Sequence, residues 1–127
     1  MKNVYFGIKY HPDNRNRNVI EEFEQSFLQH GMKSYCVVRD MEFWGKQEFS
    51  AQEIMQETFS KIDSSDLVVI DVSEKGVGLG IEAGYAKAKG IKLIITAKNG
   101  VEISTTILGT ADQIIKYETV SEISFSN

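Results

Sequence analysis

Three glycines at alternate positions lead into a glutamate, and this run carries the clearest chemical signal in the sequence. Gly76, Gly78 and Gly80 are followed two residues later by Glu82. Glycines let backbone N–H groups approach a ligand, and the partial positive charge at a helix start suits an anion and favours an ionised Glu82. An ionised carboxylate beside a sugar ring is the nucleophile of retaining glycosyl-transfer enzymes. A glutamate in the first turn of a helix also commonly serves only the helix dipole, so the residues alone leave both roles open.

Two better-known glycine motifs do not fit this run. The spacing differs from the Gly-x-Gly-x-x-Gly fingerprint of dinucleotide-binding proteins, and the run follows the third predicted strand instead of the first. No lysine follows the glycines at the position that a phosphate-binding P-loop requires. Neither motif therefore explains the glycines.

Short apolar or β-prone runs predict five strands that would position these residues. They are Val4–Ile8, Ser34–Val38, Leu67–Ile70, Ile91–Thr96 and Ile114–Tyr117. The third run is unbroken apolar sequence, which is typical of a central parallel strand covered on both faces.

Helical segments alternate with these strands. Apolar spacing predicts a helix from Asn18 to Gly31, and a capping box at Ser50 predicts another that runs to about Asp63. A third helix follows the glycines through Glu82 to Ala88, a short one is expected at Ser104–Leu108, and Arg39–Phe49 is predicted to be a loop.

The alternation predicts an α/β fold in one domain over residues 1–127. Its core would be a doubly wound, flavodoxin- or Rossmann-like sheet of five mostly parallel strands. Ligands of such sheets bind at the carboxyl ends of the strands, where the strand order reverses. Tyr5 lies on a predicted buried strand, where tyrosines commonly serve packing, and Ser104 could simply cap a helix.

Composition limits the possible partners. A net charge of −4 without a cationic block argues against long nucleic acid. Cys36 is the only cysteine, and His11 and His30 lack zinc-site spacing, so we expect no internal disulfide and no metal site. No apolar run approaches the ~20 residues that cross a bilayer, and no cleavable leader is evident. We therefore expect a cytoplasmic protein that does not contact membranes.

The glycine run also carries a family resemblance. The segment from Gly76 to Ala86 resembles the signature loop and helix of the nucleoside 2-deoxyribosyltransferase superfamily, which includes the 2′-deoxynucleoside 5′-monophosphate N-glycosidases. Val4–Gly7 is similar to the first strand of that family, and Ile103–Asp112 is similar to a late segment. The three motifs occur in the family's order and extend over most of the chain.

The resemblance implies an enzyme that cleaves or exchanges the N-glycosidic bond of a small deoxynucleoside or its 5′-monophosphate, without a cofactor. It implies that Glu82 is the nucleophile, that Tyr5 positions it, and that Ser104 reaches the site of a neighbouring subunit in a homo-oligomer. The substrate-binding candidates lie in the matching segments and the loop after the third strand: Gly7, Ser73, Gly76, Gly78, Gly80 and Ser104.

Two positions depart from the family pattern. Thr58 stands where the family has a catalytic aspartate, and Gly76 stands where it has a phosphate-binding serine or an aspartate. Glu57, Asp40 or Asp71 could replace the missing carboxyl group. Otherwise the chain could be a nucleotide-binding or sensing module with impaired catalysis, and cleavage of a dinucleotide such as NAD is a third possibility.

Overall fold

A computed structural model describes residues 1–125. Five strands alternate with helices along the chain, in the order β1 (Lys2–Gly7), α1 (Arg17–Gln29), β2 (Met32–Tyr35), a π-helix (Val37–Met41), α2 (Ala51–Asp63), β3 (Leu67–Asp71), α3 (Val77–Ala88), β4 (Lys92–Lys98), α4 (Thr105–Thr110), β5 (Gln113–Tyr117) and a 3₁₀-helix (Val120–Glu122).

The strands form one sheet in the order β2-β1-β3-β4-β5, and every pair is parallel. The predicted doubly wound α/β fold is confirmed, with a fully parallel sheet. The strand order reverses between β1 and β3, where Tyr5 pairs with Val68 and Gly7 with Ile70. The carboxyl ends of these two strands therefore frame the position where such sheets bind ligands.

Both faces of the sheet are covered. All five residues of β3 are buried, as its unbroken apolar sequence predicts. Val69 packs on the side of α1, among Phe23 and Phe27, whereas Val68 packs on the opposite side. On that opposite side, the buried Ala83 of α3 belongs to the same apolar cluster as Val68, so α3 packs directly against the sheet.

The second strand is shorter than predicted and ends earlier. Val37 and Val38 belong to the π-helix, although their β-branched side chains favour a strand. The Asp40 carboxylate accepts a hydrogen bond from the Cys36 N–H at 3.0 Å, and Arg39 donates to the Ser34 carbonyl at 2.8 Å. These local bonds turn the chain where the strand was expected to continue, and the predicted loop begins inside the π-helix.

The ends of α2 and α3 show one confirmed prediction and one correction. Ser50 and Glu53 form the predicted capping box at the start of α2. Helix α3 begins at Val77, so Gly78 and Gly80 lie in its first turn and not in the preceding loop. Glu82 is consequently in the second turn of α3.

Candidate active site

Tyr5 and Glu82 meet at the carboxyl edge of the sheet, although 77 positions separate them in sequence. The Tyr5 hydroxyl donates a hydrogen bond of 2.9 Å to Glu82 Oε1. Tyr5 is 2% exposed in β1, so the phenol has a fixed position. Among residues 1–125 no donor is bonded to Glu82 Oε2, which leaves that oxygen free to react with a ligand.

Gly7 is the last residue of β1 and lies close to the Glu82 carboxylate. A Cβ atom at this position would lie 2.5 Å from Glu82 Oε1, so any side chain would displace the carboxylate. The structure therefore places Gly7 at the site as the residue that makes room for Glu82. Gly78 is also close, since a Cβ there would lie 3.6 Å from Glu82 Oε2, an ordinary contact distance.

Burial controls the ionisation of Glu82. It raises the pKa of the carboxyl group to about 7, and the hydrogen bond from Tyr5 opposes this shift only partly. The expectation that the helix dipole would favour the ionised form is wrong in direction. Glu82 lies beyond the first turn of α3, where the dipole effect is weak, and its partial burial dominates.

Tyr5 remains a proton donor at neutral pH. Burial and the neighbouring Glu82 both raise the pKa of the phenol well above its usual value, and the Thr58 hydroxyl opposes them only in part. The phenol can therefore hold the carboxylate by hydrogen bonding without losing its own proton.

Glu82 lines a cavity of about 410 Å³ between the sheet and helix α2. This volume lies within the range of roughly 300–1,000 Å³ that is usual for small-molecule sites. Apolar side chains form much of the wall: Ile8, Val37, Val38, Ile54 and Met55. Polar groups are supplied by Tyr5, Tyr10, Glu42, Thr58 and Glu82.

The remaining candidate residues lie at other cavities along the same edge. Gly76, Gly80 and Ser104 line a neighbouring cavity of about 300 Å³ between α3 and α4. Ser104 is the N-cap residue of α4, but its side chain makes no capping bond there, and its hydroxyl lies 3.3 Å from that of Thr106. This cavity adjoins the α3 N-terminus. Gly7 and Gly78 line the cavity of Glu82, and Ser73 lines a third cavity, so the substrate-binding candidates are divided among three cavities.

Ser73 belongs to a hydrogen-bonded network on the α1 side of the sheet. Its hydroxyl accepts a bond of 2.9 Å from the Lys98 N–H and lies 3.3 Å from the Tyr117 hydroxyl. Tyr117 and Thr96 in turn donate to Asp71 Oδ2 at 2.7 and 2.8 Å. These side chains are positioned by one another and do not line the cavity of Glu82.

None of the three suggested substitutes for the family aspartate lines that cavity. Asp71 is engaged in the network just described, and Asp40 accepts bonds from the Cys36 N–H and from Arg39. Glu57 accepts a bond of 3.1 Å from the Tyr35 hydroxyl. Thr58 itself is 2% exposed and lines the cavity, so a hydroxyl lies at the position where the resemblance implies a carboxylate.

Sequence reasoning brings the segments Gly7–Tyr10 and Arg39–Trp44 to the ligand-binding edge of the sheet, but it singles out neither Tyr10 nor Glu42 as a cavity residue. Both lie in segments without periodicity, and no motif distinguishes them. Trp44, two residues after Glu42, packs against the apolar core, and the Arg17 guanidinium lies 4.4 Å from its ring centroid. Trp44 therefore anchors its loop, and it is absent from the cavity lining.

Within residues 1–125, no group of three or more His, Cys, Asp or Glu side chains is placed to hold a metal ion. In the same part of the chain, no helix is both long and apolar enough to cross a bilayer.

The fold is shared with several solved structures. CMP N-glycosidase BcmB of Clostridium botulinum superposes with a TM-score of 0.71 at 20% identity, over 95% of this chain and 93% of that one. A 2-deoxyribosyltransferase of Bacillus psychrosaccharolyticus superposes with a TM-score of 0.75 at 14% identity, over 97% and 93% of the two chains. A conserved protein of Enterococcus faecalis V583 gives a TM-score of 0.70 at 16% identity, over 92% of each chain.

No protein-family model and no curated protein matches the sequence. At identities of 20% or less, the structural likenesses show the fold. The resemblance to the nucleoside 2-deoxyribosyltransferase superfamily is thus confirmed at the level of the fold.

Proposed function

We propose that the protein cleaves or exchanges the N-glycosidic bond of a small nucleoside or nucleoside 5′-monophosphate, with Glu82 as the nucleophile. The proposal rests on the position and hydrogen bonding of the Glu82 carboxylate. One oxygen accepts a hydrogen bond from Tyr5, the other has no donor among residues 1–125, and the carboxylate lines a cavity of ligand size where the strand order reverses. Two of the similar structures, named as a CMP N-glycosidase and a 2-deoxyribosyltransferase, support this reaction class.

In the first step, Glu82 Oε2 attacks C1′ of the sugar and forms an ester. The bond between C1′ and the base breaks, and its electron pair leaves with the base, which takes a proton from water. Tyr5 holds Oε1 throughout, so that the free oxygen keeps its direction. In the second step, water or another base attacks C1′, the bond between C1′ and Glu82 Oε2 breaks, and Glu82 is released as a carboxylate while the attacking group gives a proton to solvent.

The glycines suit the 5′ end of the substrate. Gly76, Gly78 and Gly80 lie at the N-terminus of α3, where backbone N–H groups and the helix dipole favour an anion such as a phosphate. Ser104 lines the cavity next to them. In a homo-oligomer, Ser104 would approach the substrate of a neighbouring subunit, which completes the proposed site.

Release of free base tests the proposal. The purified protein is incubated with deoxynucleosides, their 5′-monophosphates, CMP and NAD, and the products are separated by chromatography, with and without a second base as acceptor. We expect base release from nucleosides or monophosphates, and a loss of at least about 10³-fold in Glu82→Gln. Base release that survives this substitution would refute the role of Glu82, and release from NAD alone would redirect the proposal to dinucleotides.

Thr58 favours a second candidate, a nucleotide-binding module without cleavage. A threonine hydroxyl is too weak an acid to replace a carboxylic acid in protonating a leaving base. Nucleotide binding by calorimetry, together with no base release from any substrate, would support this candidate over the enzyme.

A further inference from the structure

The cavity of Glu82 contains a second carboxylate, Glu42, that the proposed reaction does not use. Glu42 is partly buried, and burial raises the pKa of its carboxyl group. Within residues 1–125, no cation or hydrogen-bond donor acts against this shift. Among the described residues that line this cavity, none is a lysine, arginine or histidine. A partly desolvated carboxylate without a protein partner is available to a hydrogen-bond donor on a ligand.

Glu42 sits beside the apolar part of the cavity wall. Its backbone N–H donates a bond of 3.0 Å to the Val37 carbonyl, and the side chains of Val37 and Val38 line the cavity next to it. Ile54 and Met55 line the same cavity from α2. Such surfaces suit the faces of a planar base, and a carboxylate beside them suits a polar group on its edge.

The backbone that presents Glu42 is strained and held in place. Glu42 follows the π-helix, and the next three residues, Phe43, Trp44 and Gly45, have φ values of 47°, 62° and 88°. Left-handed conformations are costly for non-glycine residues and persist where surrounding contacts impose them. Here the Asn14 side-chain amide donates a bond of 2.8 Å to the Trp44 carbonyl. These contacts restrict the conformation of the loop, so the backbone at Glu42 is held at the edge of the cavity.

We infer that Glu42 determines base specificity by accepting a hydrogen bond from an exocyclic amino group. The inference rests on the proposed function and narrows its substrate class to nucleosides whose base carries an exocyclic amino group, which are those of cytosine, adenine and guanine. An ionised carboxylate is an acceptor only, so it pairs with an amino group such as cytosine N4, adenine N6 or guanine N2. The corresponding carbonyl oxygen of uracil, thymine or hypoxanthine would instead face it as a second acceptor.

Substrate pairs that differ at one edge of the base test this inference. In dCMP and dUMP the amino group of C4 is exchanged for a carbonyl and the neighbouring N3 gains a proton, and dAMP and dIMP differ in the same way at C6 and N1. We expect kcat/KM to favour the amino member of each pair by about tenfold or more. In Glu42→Gln the ratio should fall towards one, because a glutamine amide can turn to offer either a donor or an acceptor.

Glu48→Gln is the matched control, since Glu48 is exposed in the same segment and does not line the cavity. It should keep the wild-type ratio. Equal kcat/KM values for both members of each pair in the wild type, or an unchanged ratio in Glu42→Gln, would overturn the inference.

Binding separates failure of the inference from failure of the proposed function. Dissociation constants of dCMP and dUMP are measured calorimetrically with Glu82→Gln, which binds without turnover. A preference for dCMP that Glu42→Gln abolishes in this background supports base reading even if the wild type releases no base. Equal constants for the two nucleotides would refute it, whether or not catalysis occurs.

The Glu82→Gln variant also isolates the titration of Glu42, because it removes the other carboxyl group that lines the cavity. The other titratable groups that line the cavity are Tyr5, Tyr10 and Cys36 once Glu82 is replaced. Burial raises the pKa of Cys36 to about 12 and that of Tyr5 well above its usual range. The preference for dCMP should decline as the pH falls and Glu42 gains a proton, because a protonated carboxyl can also donate to uracil. A preference that does not change with acidification would contradict the assignment.

Discussion

Alanine at position 7 would place a methyl group where a Glu82 oxygen now lies. The Cβ atom would be 2.5 Å from Glu82 Oε1, whereas ordinary contacts begin at 3.4 Å. The carboxylate would have to retreat by about 0.9 Å, and the hydrogen bond of 2.9 Å from Tyr5 could not be kept with the present geometry. Because a misplacement of about 1 Å in a reacting group can lower a rate by roughly 10²-fold, we expect a loss of that order in kcat.

The assay is base release by Gly7→Ala under saturating substrate, with thermal unfolding measured in parallel. Gly84→Ala is the matched control, because Gly84 lies in α3 two residues after Glu82 and has no heavy atom within 4 Å of its added Cβ. This control should keep the wild-type kcat and gain about 0.5–1 kcal/mol of stability, as alanine is the better helix former. A folded Gly7→Ala protein with wild-type kcat would refute the claim that the carboxylate must occupy this position.

Three further predictions concern stability. Because the folded-state pKa of Glu82 is about 7 against an ordinary 4.5, the native state binds the extra proton more tightly, and stability declines as the pH rises between these values. At pH 8, Glu82→Gln should therefore unfold at a higher denaturant concentration than the wild type, with a free energy of unfolding larger by up to about 3 kcal/mol. The difference should vanish below pH 4.5, and an equal gain at both pH values would contradict this cause. Tyr117→Phe removes the 2.7 Å hydrogen bond to the buried Asp71 and should lower the free energy of unfolding by about 2 kcal/mol, measured by denaturant unfolding. A loss of less than about 0.5 kcal/mol would argue against a stabilising role of this bond. Ser50→Ala removes the 3.1 Å bond to the Glu53 N–H and should cost about 1 kcal/mol, which thermal unfolding would detect; an unchanged melting temperature would show that the cap contributes nothing.

The sequence predicts both the sheet and the contact between Tyr5 and Glu82, but for different reasons. The unbroken apolar run of β3 and the alternating helical segments predict a parallel sheet from local pattern alone. The meeting of Tyr5 and Glu82 followed from the family resemblance. The steric reason for Gly7 became visible only when the Glu82 oxygen was located 2.5 Å from its missing Cβ.

The residues that sequence reasoning misjudged depend on tertiary contacts. Val37 and Val38 favour a strand locally, but the bonds made by Arg39 and Asp40 form a π-helix instead. That turn carries Glu42 to the cavity from a segment without any recognisable pattern. The ionisation of Glu82 was misjudged because its burial cannot be read from its spacing to the glycines.

In the proposed reaction, the Glu82 carboxylate becomes covalently bonded to C1′ of the substrate. A nucleotide carrying a 2′-fluoro-arabino sugar tests it directly, because the fluorine destabilises the oxocarbenium-like transition state and slows release of the ester. Mass spectrometry of the intact protein and of its peptides should show the added fluorinated sugar phosphate on the peptide that contains Glu82, and none in Glu82→Gln. Release of the base without an adduct, or an adduct on another residue, would show that Glu82 is not the nucleophile.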